Sequence, residues 1–475
     1  MLFPTTDFAI FFCLVFLGHW MLNHETRTWK AFMLLASYVF YAWWDWRYVF
    51  LLASVSAIAQ GAAILIARQP DGRRRMQVLA IGVAATIAPL VYFKYYGFFT
   101  VNAANAASSL GIDWSPPLLQ VVLPVGVSFY TFMAISYVVD VHRRRFEISS
   151  WTDVFLYLAF FPHLVAGPIV RPDELIPQLD VRRDQRHVDV VGAGWLIFGG
   201  LFKKVVISSY LSTQIVDPLF GDPSRASAFD ALVGVWAYAV VIYADFSGYT
   251  DIAIGVARLL GFRFPQNFDR PYAAVSIQDF WRRWHMTLSR WLRDYLYIPL
   301  GGNRRGTART YVNLMLTMTL GGLWHGAAWH FVLWGALHGG FLAIGQWKRE
   351  RRAAGMIVDP PDTAFTRLVQ RVTAFHLVCL GWVFFRADSV GTGFTLLGRL
   401  FGGWDTPSEL VTPMVLVAIG VGIGAQYLPA SPAEVLKARL SRMRPVPLGI
   451  GFATALFVIT TLGPQGVAPF IYFQF

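Results

Sequence analysis

The sequence predicts an all-α, polytopic membrane protein of about ten to thirteen transmembrane helices, with re-entrant and interfacial helices among them. Hydrophobic residues make up 56% of the 475-residue chain and charged residues only 14%, for a mean hydropathy of +0.48. That leaves too little polar surface to cover a soluble globule of this length. Apolar runs recur near residues 8–22, 31–44, 48–67, 76–93, 118–139, 188–208, 228–245, 372–386, 413–429 and 446–463. Most approach the roughly 20 residues that a spanning helix needs.

The first run is read as a retained span, because Asp7 precedes it and Gly-His-Trp-Met follows it in place of a small-residue cleavage site. Between the runs lie basic loops: Arg68 with Arg73, Arg74 and Arg75, then Arg143 to Arg145, then Arg182, Arg183 and Arg186, then Lys348 to Arg352, and last Lys437 to Arg444. Such loops face the cytoplasm. The loops bearing Asp217, Asp222 and Asp230, and Asp388, Asp405 and Glu409, then face the other side, and counting alternations places both termini outside, in the periplasm. The net charge of +12 is therefore read as contact with membrane lipid headgroups and gives no reason to expect nucleic acid.

Two stretches escape simple alternation. Residues 154–170 contain Pro162, His163, Gly167 and Pro168 between two basic flanks, which predicts a re-entrant element whose freed backbone groups are satisfied by surrounding protein. Residues 310–347 carry no Asp, Glu, Lys or Arg and again have basic flanks, so they cross twice or enter and return. The only cysteines, Cys13 and Cys379, both lie in apolar segments and indicate no disulfide framework.

Within 310–347, His325 lies about 15 residues from the basic flank, roughly 22 Å deep along a helix. An imidazole at that depth needs partners or a wet cavity. Gly321 and Gly322, three and four positions earlier, leave room beside it for a substrate; alternatively they allow close helix packing, with His325 bonded to a neighbouring helix. A second segment runs from Ser276 to Tyr295. Ser276 and Asp279 have capping-box spacing, while Ile277, Phe280, Trp281, Trp284, Leu288, Trp291, Leu292 and Tyr295 recur at helical intervals. This predicts one amphipathic interfacial helix with His285 on its buried face and Arg282, Arg283, Arg290 and Arg293 elsewhere. Those arginines suit the phosphates of a cytoplasmic donor or those of anionic lipids. Two inward histidines on one path fit acyl transfer, since neutral imidazole takes a proton from a hydroxyl attacking a thioester.

Other chemistries are less well supported. His325 and His330 are five residues apart and point about 140° apart on a helix, so no metal site is expected. No G-x-S-x-G elbow is present. Asp245 and Asp251 sit near a span, where a carboxylate is either functional or paired with an arginine for packing.

Four stretches then carry a family likeness: Tyr243-Ala-Asp-Phe-Ser-Gly-Tyr-Thr-Asp-Ile-Ala-Ile-Gly255, Phe280-Trp-Arg-Arg-Trp-His-Met-Thr-Leu-Ser289, Tyr297-Ile-Pro-Leu-Gly-Gly-Asn303 and Gly322-Leu-Trp-His-Gly-Ala327. Together they resemble the membrane-bound O-acyltransferase family, and residues 40–45, 124–130 and 161–168 extend the likeness over most of the chain. The resemblance implies one membrane-embedded acyltransferase domain over 1–475, with N-terminal helices and the re-entrant element in 1–240, a catalytic region in 241–347 and C-terminal helices in 348–475. It implies that His325 is the essential catalytic residue and His285 its partner. Trp281, Arg282, Arg283, Trp284, Ser289, Arg293, Asn303, Gly321, Gly322, Trp324, Trp329 and Asp245 are then the candidates for a substrate channel or donor site.

It also implies no bound cofactor, acetyl-CoA as the cytoplasmic donor, and passage of the acetyl group across the bacterial inner membrane. A periplasmic acetyltransferase partner would then act on an exported polysaccharide such as alginate. Alternatives are a carrier-protein thioester donor, a peptidoglycan or teichoic-acid-type acceptor, or a lipid-linked sugar transporter. The transporter reading predicts charges spread over several spans and an inverted repeat, neither of which stands out.

Overall fold

In the computed structural model the residues described are 1, 3–114, 116–117, 122–358 and 360–463. The first four residues of the apolar run 118–139 thus lie outside them. Among the described residues every regular element is helical, and six helices are long and apolar enough to cross a membrane: Arg47–Ala67, Arg73–Ser109, Val190–Gly221, Ala228–Leu259, Ala364–Arg386 and Pro445–Leu462. Pro413–Tyr427 and Ser431–Leu440, bent by 89° at their junction, make a seventh if counted as one span. The remaining apolar runs form shorter or less apolar helices, Thr6–Leu22, Thr26–Ala42 and Val127–His142 among them.

The chain divides into two units, residues 1–193 with 253–265, and residues 194–252 with 266–475. In the first, helices Arg47–Ala67, Arg73–Leu90 and Val127–His142 pack together around buried polar bonds. Tyr137 Oη donates to Gln60 Oε1 (2.7 Å), and Gln60 Nε2 donates to the Ser149 carbonyl (2.8 Å). Arg75 belongs to a predicted basic loop but is buried, and its guanidinium donates to the carbonyls of Ile66, Gln69, Val141 and His142. It therefore closes two helix C-termini, where the last carbonyls have no partner within the helix.

The turn at 154–170 follows from length. Helix Trp151–Ala159 has nine residues, about 13 Å at roughly 1.5 Å per residue, which is too short to cross. A four-residue helix, Phe161–Leu164, follows after a bend, and residues 156–170 are all buried. Backbone groups freed by the bends are bonded as expected of such an element: Ser37 Oγ accepts the Phe161 amide (3.2 Å), and Tyr157 Oη donates to the Val170 carbonyl (2.9 Å).

In the second unit, residues 310–347 fall in an antiparallel hairpin of helices Thr307–His325 and Trp329–Ala353. The first helix has 19 residues, about 28 Å, close to the hydrocarbon thickness of a bilayer. Small residues set how closely the two pack. A Cβ on Gly322 would lie 2.2 Å from the Phe331 carbonyl oxygen, and one on Gly335 would lie 2.3 Å from that of Met318.

Candidate functional site

Ser276 begins the interfacial segment as its spacing predicts. Its Oγ accepts the Asp279 amide (3.1 Å), and Asp279 Oδ2 accepts the Val275 amide (3.2 Å). The expected continuous helix over 276–295 is corrected. Two short helices, Ile277–Arg283 and Met286–Leu292, are separated by an extended Trp284 and a left-handed His285 at φ 41°, ψ 53°.

That conformation costs a non-glycine residue roughly 1–2 kcal/mol, and the segment 267–269 compensates by bonding the break from both sides. Met286 N donates to the Asn267 carbonyl (2.9 Å), and Asp269 N donates to the Arg283 carbonyl (2.9 Å). Asn267 Oδ1 accepts from Thr287 N (3.2 Å) and Thr287 Oγ1 (2.8 Å), and it lies 3.2 Å from His285 Nδ1. An amide oxygen only accepts, so this contact assigns the proton to Nδ1 and leaves Nε2 as the basic nitrogen. His285 is fully buried, outside the spanning helices, and burial pushes its pKa down, so the ring is neutral.

His325 is the last residue of its helix and is 4% exposed. Among the described residues, the rings of Trp324 at 5.0 Å, Trp334 at 5.0 Å and Phe385 at 5.2 Å meet it edge to face. The Trp324 ring also approaches His285 at 6.4 Å, while Phe246 meets His285 at 4.7 Å. One indole thus touches both imidazoles.

The other candidates separate into groups. Trp281, Trp284 and Trp324 are buried in this aromatic cluster, with Trp284 4.9 Å from Trp382. Ser289 Oγ is held by the Trp284 carbonyl (3.2 Å). Arg283 pairs with Asp279 (2.9 Å) and Arg293 with Asp294 (2.6 Å), while Arg282, Asn303 and Trp329 are exposed. Gly322 is corrected from lining space for a substrate to closing the hairpin. Gly321 is more open, and a Cβ there would meet only Leu292 Cδ1, at 3.4 Å.

Asp245 is buried against Lys204, and Asp251 pairs with Lys203 at 2.5 Å, so both carboxylates have lysine partners where arginine was the expected alternative. The π-helical turn Phe202–Ser208 brings these consecutive lysines to the helix Ala228–Leu259. Asn267 and His338 were not found from the sequence. Asn267 follows Pro265 in a stretch that reads as an ordinary turn, and His338 lies on the uncharged hairpin without a motif around it.

Comparison with known proteins defines the class. The model of the membrane-bound O-acyltransferase family matches residues 36–380, and the chain belongs to that family. It is a multi-pass membrane protein and an acyltransferase. Among its relatives, a probable alginate O-acetylase of Azotobacter vinelandii is 37% identical over the whole of both chains. A peptidoglycan O-acetyltransferase of Helicobacter pylori is 34% identical over 85% of this chain and 80% of its own. A teichoic acid D-alanyltransferase of Bacillus subtilis is 26% identical over 64% of this chain and 76% of its own.

Proposed function

We propose that this chain takes an acetyl group from acetyl-CoA on the cytoplasmic side of the bacterial inner membrane and passes it across for O-acetylation of an exported polysaccharide such as alginate. A periplasmic acetyltransferase partner completes the transfer. The observation that carries this reading is the pair of buried imidazoles, His285 and His325, packed on the single Trp324 ring. Full-length similarity to an alginate O-acetylase supports the acceptor class. Similarity to the peptidoglycan enzyme supports a second acceptor within the same chemistry.

In the proposed step an acceptor hydroxyl attacks the thioester carbonyl carbon, and His325 takes its proton as the C–O bond forms. The C–S bond then breaks, and the thiolate of CoA leaves and takes up a proton. His285, fixed as the Nδ1–H tautomer by Asn267, assists through Nε2. Arg282 and Arg293, both exposed, contact the donor phosphates.

The test is purified protein in vesicles with labelled acetyl-CoA, following thioester loss and label transfer to alginate or peptidoglycan fragments. Stable thioester with every acceptor, the periplasmic partner included, would remove acetyl-CoA as the donor. Sidedness has its own test. After replacement of Cys13 and Cys379, single cysteines at 305 and 351 should react with an impermeant thiol reagent only in inverted vesicles, and those at 222 and 405 only in intact cells. Periplasmic labelling at 305 or 351 would overturn a cytoplasmic donor site beside His285.

A further inference from the structure

We infer that His338 is a positioning residue for the acyl-transfer reaction, bracing the short helix that ends at His285 against the hairpin that carries His325. The inference rests on the assignment of those two histidines proposed above.

His338 lies on the second helix of the hairpin, Trp329–Ala353, and is fully buried. Its Nδ1 accepts a hydrogen bond from Trp281 Nε1 at 3.3 Å. An indole nitrogen only donates, so Nδ1 is unprotonated and the ring proton sits on Nε2. Nε2 has no hydrogen-bond partner among the described residues. An apolar side chain here would remove that orphan but would leave the buried Trp281 Nε1–H without its acceptor. The bond to Trp281 is what the imidazole provides.

That bond joins two elements that the backbone leaves separate. Trp281 is in the last turn of helix Ile277–Arg283, four residues before the left-handed break at His285. On the hairpin side, the Trp334 ring lies 4.9 Å from His338 and 5.0 Å from His325. Trp281 also meets Trp334 at 5.8 Å. A chain of direct contacts therefore runs from the helix before His285, through Trp281, His338 and Trp334, to His325. Gly381 on helix Ala364–Arg386 backs the brace, since a Cβ there would lie 2.7 Å from His338 Nε2 and 3.4 Å from Trp334 Cδ1. Only glycine lets that helix approach so closely without pushing the imidazole off its partner.

Misplacing reacting groups by about 1 Å is enough to cost on the order of 100-fold in rate. The test measures kcat and KM for labelled acetyl-CoA in vesicles, with the thermal midpoint of each variant as a check on folding. Trp281→Phe and His338→Phe should each lower kcat by about 10-fold or more with KM within about twofold, and the double variant should be no worse than either alone. Gly381→Ala should act in the same direction. His338→Asn places an amide oxygen near the position of Nδ1 and should recover most of the kcat lost in His338→Phe.

Wild-type kcat in both Phe variants would overturn the inference, as would His338→Asn being as slow as His338→Phe. A lowered thermal midpoint with unchanged kcat per folded molecule would reduce His338 to packing and overturn it as well. His325→Ala serves as the separating control. If that variant keeps turnover, the assignment of His325 falls. If it is inactive while His338→Phe is fully active, only the brace falls.

Discussion

His285 and His325 both pack against Trp324 and are held in opposite ways. His325 closes a regular 19-residue helix, so its depth and direction follow from helix geometry, and aromatic rings fill its surroundings. His285 sits where a helix is broken, in a conformation that L-residues avoid, and a segment eighteen positions earlier holds it there. The first is placed by its own helix. The second is placed by a partner, which makes it more sensitive to substitutions elsewhere.

The largest expected effect tests the simpler of the two. His325→Ala should retain folding and membrane insertion while losing roughly 100- to 10,000-fold in turnover of labelled acetyl-CoA, the range usual for a general base. Near-normal turnover would end its assignment. For His285, Asn267→Ala should slow turnover and lower the thermal midpoint together. It removes the acceptor shared by the Thr287 amide and hydroxyl and the His285 Nδ1–H, and a lost buried hydrogen bond costs about 1–3 kcal/mol. Asn267→Asp keeps an acceptor oxygen and should be milder. If Asn267→Ala were neutral in both measurements, the contrast between a self-placed and a partner-placed histidine would be lost.

A smaller effect sharpens the hairpin side. Gly322→Ala drives a methyl group into the Phe331 carbonyl, and forced overpacking of this kind costs about 1–3 kcal/mol. Its thermal midpoint should fall. Gly321→Ala, with ordinary contact to Leu292, should change stability by about 0.5 kcal/mol or less and leave the midpoint nearly unmoved. Equal behaviour of the two would mean that helix approach at Gly322 does not set the position of His325.

Much of this was legible in the sequence. Composition and apolar runs determined an all-helical membrane fold, because a bilayer admits few other solutions. Basic flanks around the uncharged stretch 310–347 predicted that it crosses twice or enters and returns, and it falls in a helical hairpin; the capping pair Ser276 and Asp279 marked a helix start to the residue. Those signals are local, and local spacing records them. The same spacing misread 276–295 as one helix, because Phe280, Trp281, Trp284 and Leu288 keep a helical period and nothing nearby announces that Asn267 will open it. Gly322 was likewise undecided between open space and close packing until Phe331 and Gly335 were placed opposite it. His338 carried no signal, since its one hydrogen-bond partner among the described residues is 57 residues away. What the chain decides by itself is which segments are helical and apolar. Which polar atoms meet inside depends on contacts between segments far apart in sequence, and only the tertiary structure decides those.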